Sequence, residues 1–144
     1  PVSVYARGSH NEATPEGLWN DMTTVLAFEN GAHATVTQTL SICEHHLSAK
    51  VVGDAGAVLA AWDGEMDRTL RPQASLKLFR GGTLEEIAIA PSGESFELRA
   101  ELARFVSACE GREPLPMTPR EGALAVEICC AAEKSIGLCG LVSL

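Results

Sequence analysis

The densest group of side chains able to bind or transfer anything is Cys43-Glu44-His45-His46. Thiolate, carboxylate and imidazole are zinc donors, but a closed zinc site needs about four ligands converging on one point. On an extended strand Cys43 and His45 face one way and Glu44 and His46 the other, so the pairs diverge. No second cluster has metal-ligand spacing, and we read no metal site. A neutral imidazole can instead hydrogen-bond a substrate hydroxyl, and it titrates near physiological pH. His45 and His46 are therefore candidates for substrate contact, weighed against a purely structural role at a strand end. His10, Trp19 and Asp21 form a second candidate group, in or near a long polar loop. An aromatic beside an acid can stack on and orient a sugar, and loops often carry function. The competing role for a lone Trp is to anchor the loop onto the core.

No residue is assigned to catalysis. Cys129 and Cys130 sit in the middle of a helix, where a free thiol behaves as a small buried hydrophobe, and no adjoining Lys or His lowers its pKa. Glu101, Glu110, Glu121, Glu127 and Glu133 read as a solvated helix face. A dinucleotide-binding glycine turn must follow a strand and open a helix, so that pyrophosphate meets the helix N-terminus. The nearest approach, Gly53-Asp54-Ala55-Gly56, lies between two expected strands and reads as a hairpin turn.

Strand signals fill the first part of the chain. Val2, Val4 and Ala6 alternate with Ser3, Tyr5 and Arg7, and a polar loop runs from Gly8 to Gly17. Between Asp21 and Glu29, Met22, Thr24, Leu26 and Phe28 share a face; Asn30-Gly31 then marks a tight turn. The return strand puts Ala32, Ala34, Val36, Leu40 and Ile42 on one side and His33, Thr35, Thr37, Thr39 and Ser41 on the other. Further strands are expected over Leu47–Val52, Ala57–Trp62, Met66–Leu70, Ser75–Phe79 and Leu84–Ile89, with Arg80-Gly81-Gly82-Thr83 as a hairpin connection. Period-two alternation with closely spaced turns argues for antiparallel meander pairing.

Helical spacing begins near Ser95. Leu98, Leu102, Phe105, Val106 and Cys109 form a stripe that must pack on something, and Gly111 ends it. Thr118-Pro119-Arg120-Glu121 is a capping box opening a second helix. Leu124, Ile128, Ala131, Ala132 and Ser135 form its inward stripe, Gly137 or Gly140 closes it, and Leu141–Leu144 forms a short last strand. The expected architecture is α+β: an open, predominantly antiparallel sheet with two C-terminal helices packed on one face.

The chain of 144 residues is one domain's worth, large enough to bury a core without disulfides. Net charge of −8 disfavours a nucleic-acid partner. No apolar run reaches the ~20 residues that cross a bilayer, so no membrane association is expected. The odd count of five cysteines, without a Cys-x-x-Cys pair, suits reduced thiols in a cytoplasmic protein. The start at Pro1, already in strand-like alternation, suggests a piece of a longer chain.

An ordered set of motifs carries a resemblance. Val2-Ser3-Val4-Tyr5-Ala6, Asp21, Phe28-Glu29-Asn30-Gly31-Ala32 and Val52-Gly53-Asp54-Ala55-Gly56 come first. Phe105-Val106, Thr118-Pro119-Arg120-Glu121-Gly122-Ala123-Leu124 and Ala131-Ala132-Glu133-Lys134-Ser135 follow. Together they span nearly the whole chain, which resembles the C-terminal domain of the Gfo/Idh/MocA oxidoreductases, a family that includes glucose–fructose oxidoreductase and inositol dehydrogenase. The resemblance implies a single domain over residues 1–144 that walls a substrate pocket and pairs subunits. It implies NAD or NADP in the full-length protein, held by an N-terminal Rossmann domain absent from this sequence, and no cofactor in this chain. The family's catalytic lysine lies in a Glu-Lys-Pro motif of the Rossmann half, and its catalytic histidine on an early helix of the C-terminal domain. Neither segment is in this sequence. Several relatives carry a Tyr-x-Tyr-Asp-like stretch where His45 and His46 stand, so the pattern is not kept there.

The expected function is thus the substrate-binding and oligomerising part of a sugar- or polyol-type NAD(P)-dependent oxidoreductase, inactive alone. Its partners would be a small-molecule substrate, the missing Rossmann domain, and further copies of the chain through the open sheet face. The alternative is a stand-alone, non-enzymatic module for sheet-mediated dimerisation or ligand binding.

Overall fold

The computed structural model describes residues 1–12, 14–40, 44–65, 68–94 and 97–144. Ser41, Ile42, Cys43, Met66 and Ser95, which figure in the sequence reading, lie outside the described residues. The chain divides into two compact units, Pro1–Ser41 with Pro114–Leu144, and Ile42–Glu113. All named strands pair antiparallel, as the alternation requires, in two four-stranded sheets. With two helices in the C-terminal part, the fold is α+β.

The first unit contains β1 (Ser3–Ser9), β2 (Asp21–Ala27), β3 (His33–Thr39), α2 (Pro119–Leu138) and β8 (Val142–Ser143), in the sheet order β3-β2-β1-β8. The β2–β3 register pairs Leu26 with Ala34 and Thr24 with Val36, keeping apolar groups on one face. The connection uses Asn30-Gly31, but only Gly31 takes positive φ (82°). Asn30 instead turns its side-chain oxygen onto the Ala32 amide at 3.1 Å, while the Gly31 amide donates to the Phe28 carbonyl.

The core of this unit is Val4, Ala6, Leu26, Ala131, Ala132, Ile136 and Val142, with Thr24 and Ser135 also buried. Small residues let α2 lie close to β1. The buried Ser135 hydroxyl accepts the Ala6 amide at 2.9 Å and donates to the Gly140 carbonyl at 2.5 Å. Helix α2 starts as the capping box dictates: Glu121 accepts the Thr118 amide at 2.7 Å, and Thr118 Oγ1 accepts the Glu121 amide. The Thr118 amide holds the Glu121 carboxyl below its usual range.

Three details of α2 differ from expectation. Leu124 is exposed, because a 20-residue helix is about 30 Å long while the seven-residue β1 spans about 23 Å, and only the second half of α2 is covered. Cys129 and Cys130 are exposed rather than buried, since they fall off the face that carries Ile128, Ala131, Ala132 and Ser135. The helix is closed neither by Gly137 nor by a left-handed Gly140. Cys139 takes the left-handed conformation (φ 54°), and the Gly140 amide reaches back to the Ser135 carbonyl at 3.2 Å.

The second unit contains β4 (His45–Gly53), β5 (Gly56–Gly64), β6 (Gln73–Arg80), β7 (Thr83–Glu86) and α1 (Leu98–Cys109), with the sheet in chain order. The expected strand over Met66–Leu70 is not there among its described residues. Both edges of β5 are already taken by β4 and β6. Arg68 forms an isolated bridge with Glu94, and the Thr69 amide bonds the Gly93 carbonyl at 2.7 Å. Helix α1 ends where Gly111 was expected to stop it, with Gly111 at φ 72°. None of its residues is buried. Among the described residues, no helix is long and apolar enough to cross a membrane.

Ser135→Ala is expected to destabilise the chain by about 1–3 kcal/mol, because it leaves the Ala6 amide and Gly140 carbonyl unpaired under a helix. Urea unfolding followed by circular dichroism checks this, and a loss well under that range would show that water replaces the hydroxyl.

Candidate functional site

In the first unit, β1 runs into the polar loop and β2 leaves it, so the loop's two ends are held side by side by the Ser9–Asp21 pairing. Trp19 sits at the returning end. Its indole covers Gly8, where an added Cβ would come within 2.9 Å of the ring and 3.0 Å of Ile136. Only a residue without a side chain admits this packing, and it anchors the loop to the core cluster. The His10 ring meets the indole at 5.8 Å between centroids, tilted by 58°. Leu18, Trp19, Asn20, Met22, Gln38, Leu40 and Glu133 line a hollow of about 230 Å³ beside it. The amide groups, carboxylate and indole there are able to hold a small hydroxylated molecule.

Asp21 is next to this hollow in sequence but not in space. Strand alternation sends it to the face opposite Met22, Thr24 and Leu26. There its carboxylate accepts from Ser9 Oγ at 3.2 Å and from Thr39 Oγ1, tying three strands together. The structure thus joins His10 to Trp19 and gives Asp21 a cross-strand partner on each side. The same open face carries Tyr5, Arg7, Thr23, Val25, Thr35 and Thr37, where Arg7 Nε donates to the Tyr5 hydroxyl at 2.8 Å.

In the second unit, His46 lies opposite Asp63 in the β4–β5 ladder. Its Nδ1 is 2.6 Å from Asp63 Oδ1 and its Nε2 is 3.3 Å from Glu44 Oε2. The hydrogen bond to Asp63 raises the imidazole pKa above its ordinary value; partial desolvation opposes it, and the charges of Asp63 and Glu44 add to the rise. His45 is half-buried and points to the other face of β4, on the side of Leu47. His45 and His46 therefore cannot act on one ligand from the same face. Among the described residues, no group of three or more His, Cys, Asp or Glu side chains is placed to hold a metal ion. The Gly53–Gly56 turn joins β4 to β5. It does not open a helix, so it offers no helix N-terminus to a dinucleotide pyrophosphate.

Sequence reasoning missed a groove of about 520 Å³ in this unit. Its floor is Leu47, Ala49, Ala60, Trp62, Ala74 and Leu76, and the 89–94 segment forms its wall. The Trp62 indole N–H donates to the Ser92 carbonyl at 2.9 Å, fixing ring and wall together. The signal was available: Val58, Ala60 and Trp62 alternate along β5, and Ala74, Leu76 and Leu78 do so along β6.

No protein-family model matches the sequence, and no curated protein matches it. Solved structures do. The aldose–aldose oxidoreductase from Caulobacter crescentus, complexed with glycerol, superimposes at a TM-score of 0.72 with 20% identity, over 100% of this chain and 41% of that one. The WlbA dehydrogenase from Bordetella pertussis, in complex with NADH and UDP-GlcNAcA, gives 0.61 and 16%, over 99% and 38%. Biliverdin reductase from Synechocystis, with biliverdin and NADP+, gives 0.63 and 17%, over 93% and 40%. The chain therefore shares its fold with part of several oxidoreductases and spans about 40% of their length.

The raised pKa of His46 has a definite pH signature. The stabilisation from its ion pairs is fully present below the ordinary histidine value and is lost as pH rises through the higher folded value. Titration of the imidazole by NMR is expected to give a pKa above that of a free histidine, and Asp63→Asn is expected to bring it down. An unchanged His46 titration in Asp63→Asn would contradict the assignment.

Proposed function

We propose that this chain is the C-terminal, substrate-walling and oligomerising part of an NAD(P)-dependent oxidoreductase of the Gfo/Idh/MocA type. The observation that carries this reading is that 93–100% of its length superimposes on about two fifths of several oxidoreductases, two of them holding nicotinamide dinucleotides. The ordered motifs from Val2 to Ser135 support it independently. The Gly53–Gly56 turn lacks the strand-to-helix context a dinucleotide needs, so the coenzyme belongs to a Rossmann half preceding Pro1 in the intact protein. Hydride transfer and its proton-handling lysine belong there as well. Residues 1–144 then form one functional domain, whose contribution is to hold a sugar- or polyol-like substrate in place. Positioning of this kind supplies a large share of rate enhancement without touching the bond that breaks.

The hollow lined by Trp19, whose indole His10 contacts, is the better placed of the two candidate groups for a hydroxylated ligand. His45 and His46 act on separate faces, and of these His46 is already engaged by Asp63 and Glu44. Asp21 serves the strands first. The open hydroxyl-bearing face of the β3-β2-β1-β8 sheet is the surface for a second copy, with Val25, Thr35 and Thr37 near its centre.

Two measurements test the reading. Titration calorimetry of the 144-residue chain with NADH and NADPH is expected to show no binding, while a protein extended upstream through a glycine-rich turn and a Glu-Lys-Pro motif binds one of them. Tight binding by the chain alone would sink the assignment. Light scattering under reducing conditions is expected to give a dimer or larger species, with Thr37→Lys shifting it to monomer. A monomer before substitution would remove the oligomerising role and favour a purely substrate-walling one.

A further inference from the structure

The groove beside Trp62 is apolar except at two acids. The small Ala49, Ala60 and Ala74 lie among the larger Leu47, Trp62 and Leu76 on the same three strands, so the sheet is hollowed there. Ile89 and Pro91 continue the apolar lining on the wall. Glu94 and Glu97 line it as well, and among the described residues they are its charged side chains. Arg68 Nε is 3.6 Å from Glu94 Oε1, but Arg68 is 82% exposed and forms no part of the lining. With Arg68 counted, the groove still keeps one net negative charge.

The aromatic and acidic parts are held in place by a shared residue. The Trp62 indole N–H donates to the Ser92 carbonyl at 2.9 Å, and the Glu94 amide donates to Ser92 Oγ at 3.1 Å. The six-membered end of the indole lies against Gly64, where an added Cβ would overlap the ring and come within 2.9 Å of Thr69 Cγ2. The Thr69 amide in turn bonds the Gly93 carbonyl at 2.7 Å. Ring, wall and the backbone of Glu94 are therefore ordered before a ligand arrives, which lowers the entropy lost on binding. A cation is drawn both to the electron-rich face of an indole and to a carboxylate.

We propose that this groove binds an amphiphilic amine, a small molecule with a short alkyl or aryl body and one ammonium end. The body fills the alanine trough against Trp62 and Leu76, and the Glu94 and Glu97 carboxylates hold the ammonium. A volume of about 520 Å³ suits a small-molecule site. A polyol would press hydroxyls onto an alanine floor that offers them no hydrogen bond. An anion would meet two charges of its own sign. The site lies in the second unit and stands independently of the oxidoreductase reading.

A set of probes sharing one eight-carbon body tests it: n-octylammonium, 1-octanol and octanoate, each titrated into the intact chain at pH 8 and low salt. Binding is read by NMR at the Trp62 indole N–H, told apart from that of Trp19 through Trp62→Phe. Octylammonium is expected to shift the Trp62 resonance saturably and to bind about tenfold tighter than octanol, from two exposed charge contacts worth a few-fold each. Octanoate is expected to bind weakest. Glu94→Gln combined with Glu97→Gln is expected to erase the preference and leave octanol binding unchanged, which separates lost charge from a lost fold. Equal affinities for the probes, or no saturable shift at Trp62 with octylammonium, would overturn the proposal. So would an ammonium preference that survives in the double glutamine variant.

Discussion

The buried hydroxyl of Ser135 is the interaction on which the first unit depends. Strand β8 is only two residues long and pairs with Ser3 and Val4, so the ladder on that side of β1 stops before Ala6. The Ala6 amide would otherwise point into a closed apolar layer with nothing to accept it. Ser135 supplies the acceptor from the helix and donates its own hydroxyl hydrogen bond to the Gly140 carbonyl, in the turn that leads to β8. One side chain therefore fixes the helix height over the sheet, the end of the helix and the start of the last strand. The alanines at 131 and 132 follow from this, because anything larger would lift the hydroxyl out of reach.

That arrangement leaves a sheet with unlike sides, and the unlike sides decide what the unit can do. Its helix face is closed by apolar packing. Its other face is held by hydroxyl and carboxylate groups reaching between neighbouring strands, with Asp21 at the centre of one such row and Thr23 facing Thr37 at 3.3 Å in the next. The sheet of the second unit is built on another plan, with an apolar block around Trp62, Ala60 and Leu76 on one side, bordered by His45, Arg80 and Glu85, and a mixed face on the other. The two sheets thus present different chemistry to any molecule that approaches them.

Much of this was legible in the sequence because period-two alternation leaves little freedom. From Val2 to Leu40 the register follows once the turn at Asn30-Gly31 is seen, and Thr118-Pro119-Arg120-Glu121 marks the start of α2 with its hydrogen bonds. What was not legible depended on lengths and neighbours. The overhang of Leu124 follows from helix length against strand length, and the bridge at Arg68 from both edges of β5 being taken. Among the candidate residues, the meeting of His10 with Trp19 was readable from their place in one loop. The separation of Asp21 from them follows from a single step of the pleat, which sends adjacent residues to opposite faces. The Trp62 groove escaped notice because it needs three strands in register before its alanines and tryptophan become a surface.

The exposed thiols carry a practical consequence. Cys109, Cys129, Cys130 and Cys139 are all open to solvent. The neighbouring pair on α2 projects about 100° apart around the helix axis, a poor geometry for bridging one another. Oxygen in a storage buffer would sooner link separate molecules than close a loop within one. Covalent ladders formed in this way would mimic a specific assembly on a sizing column, and they would vanish when a reductant was added.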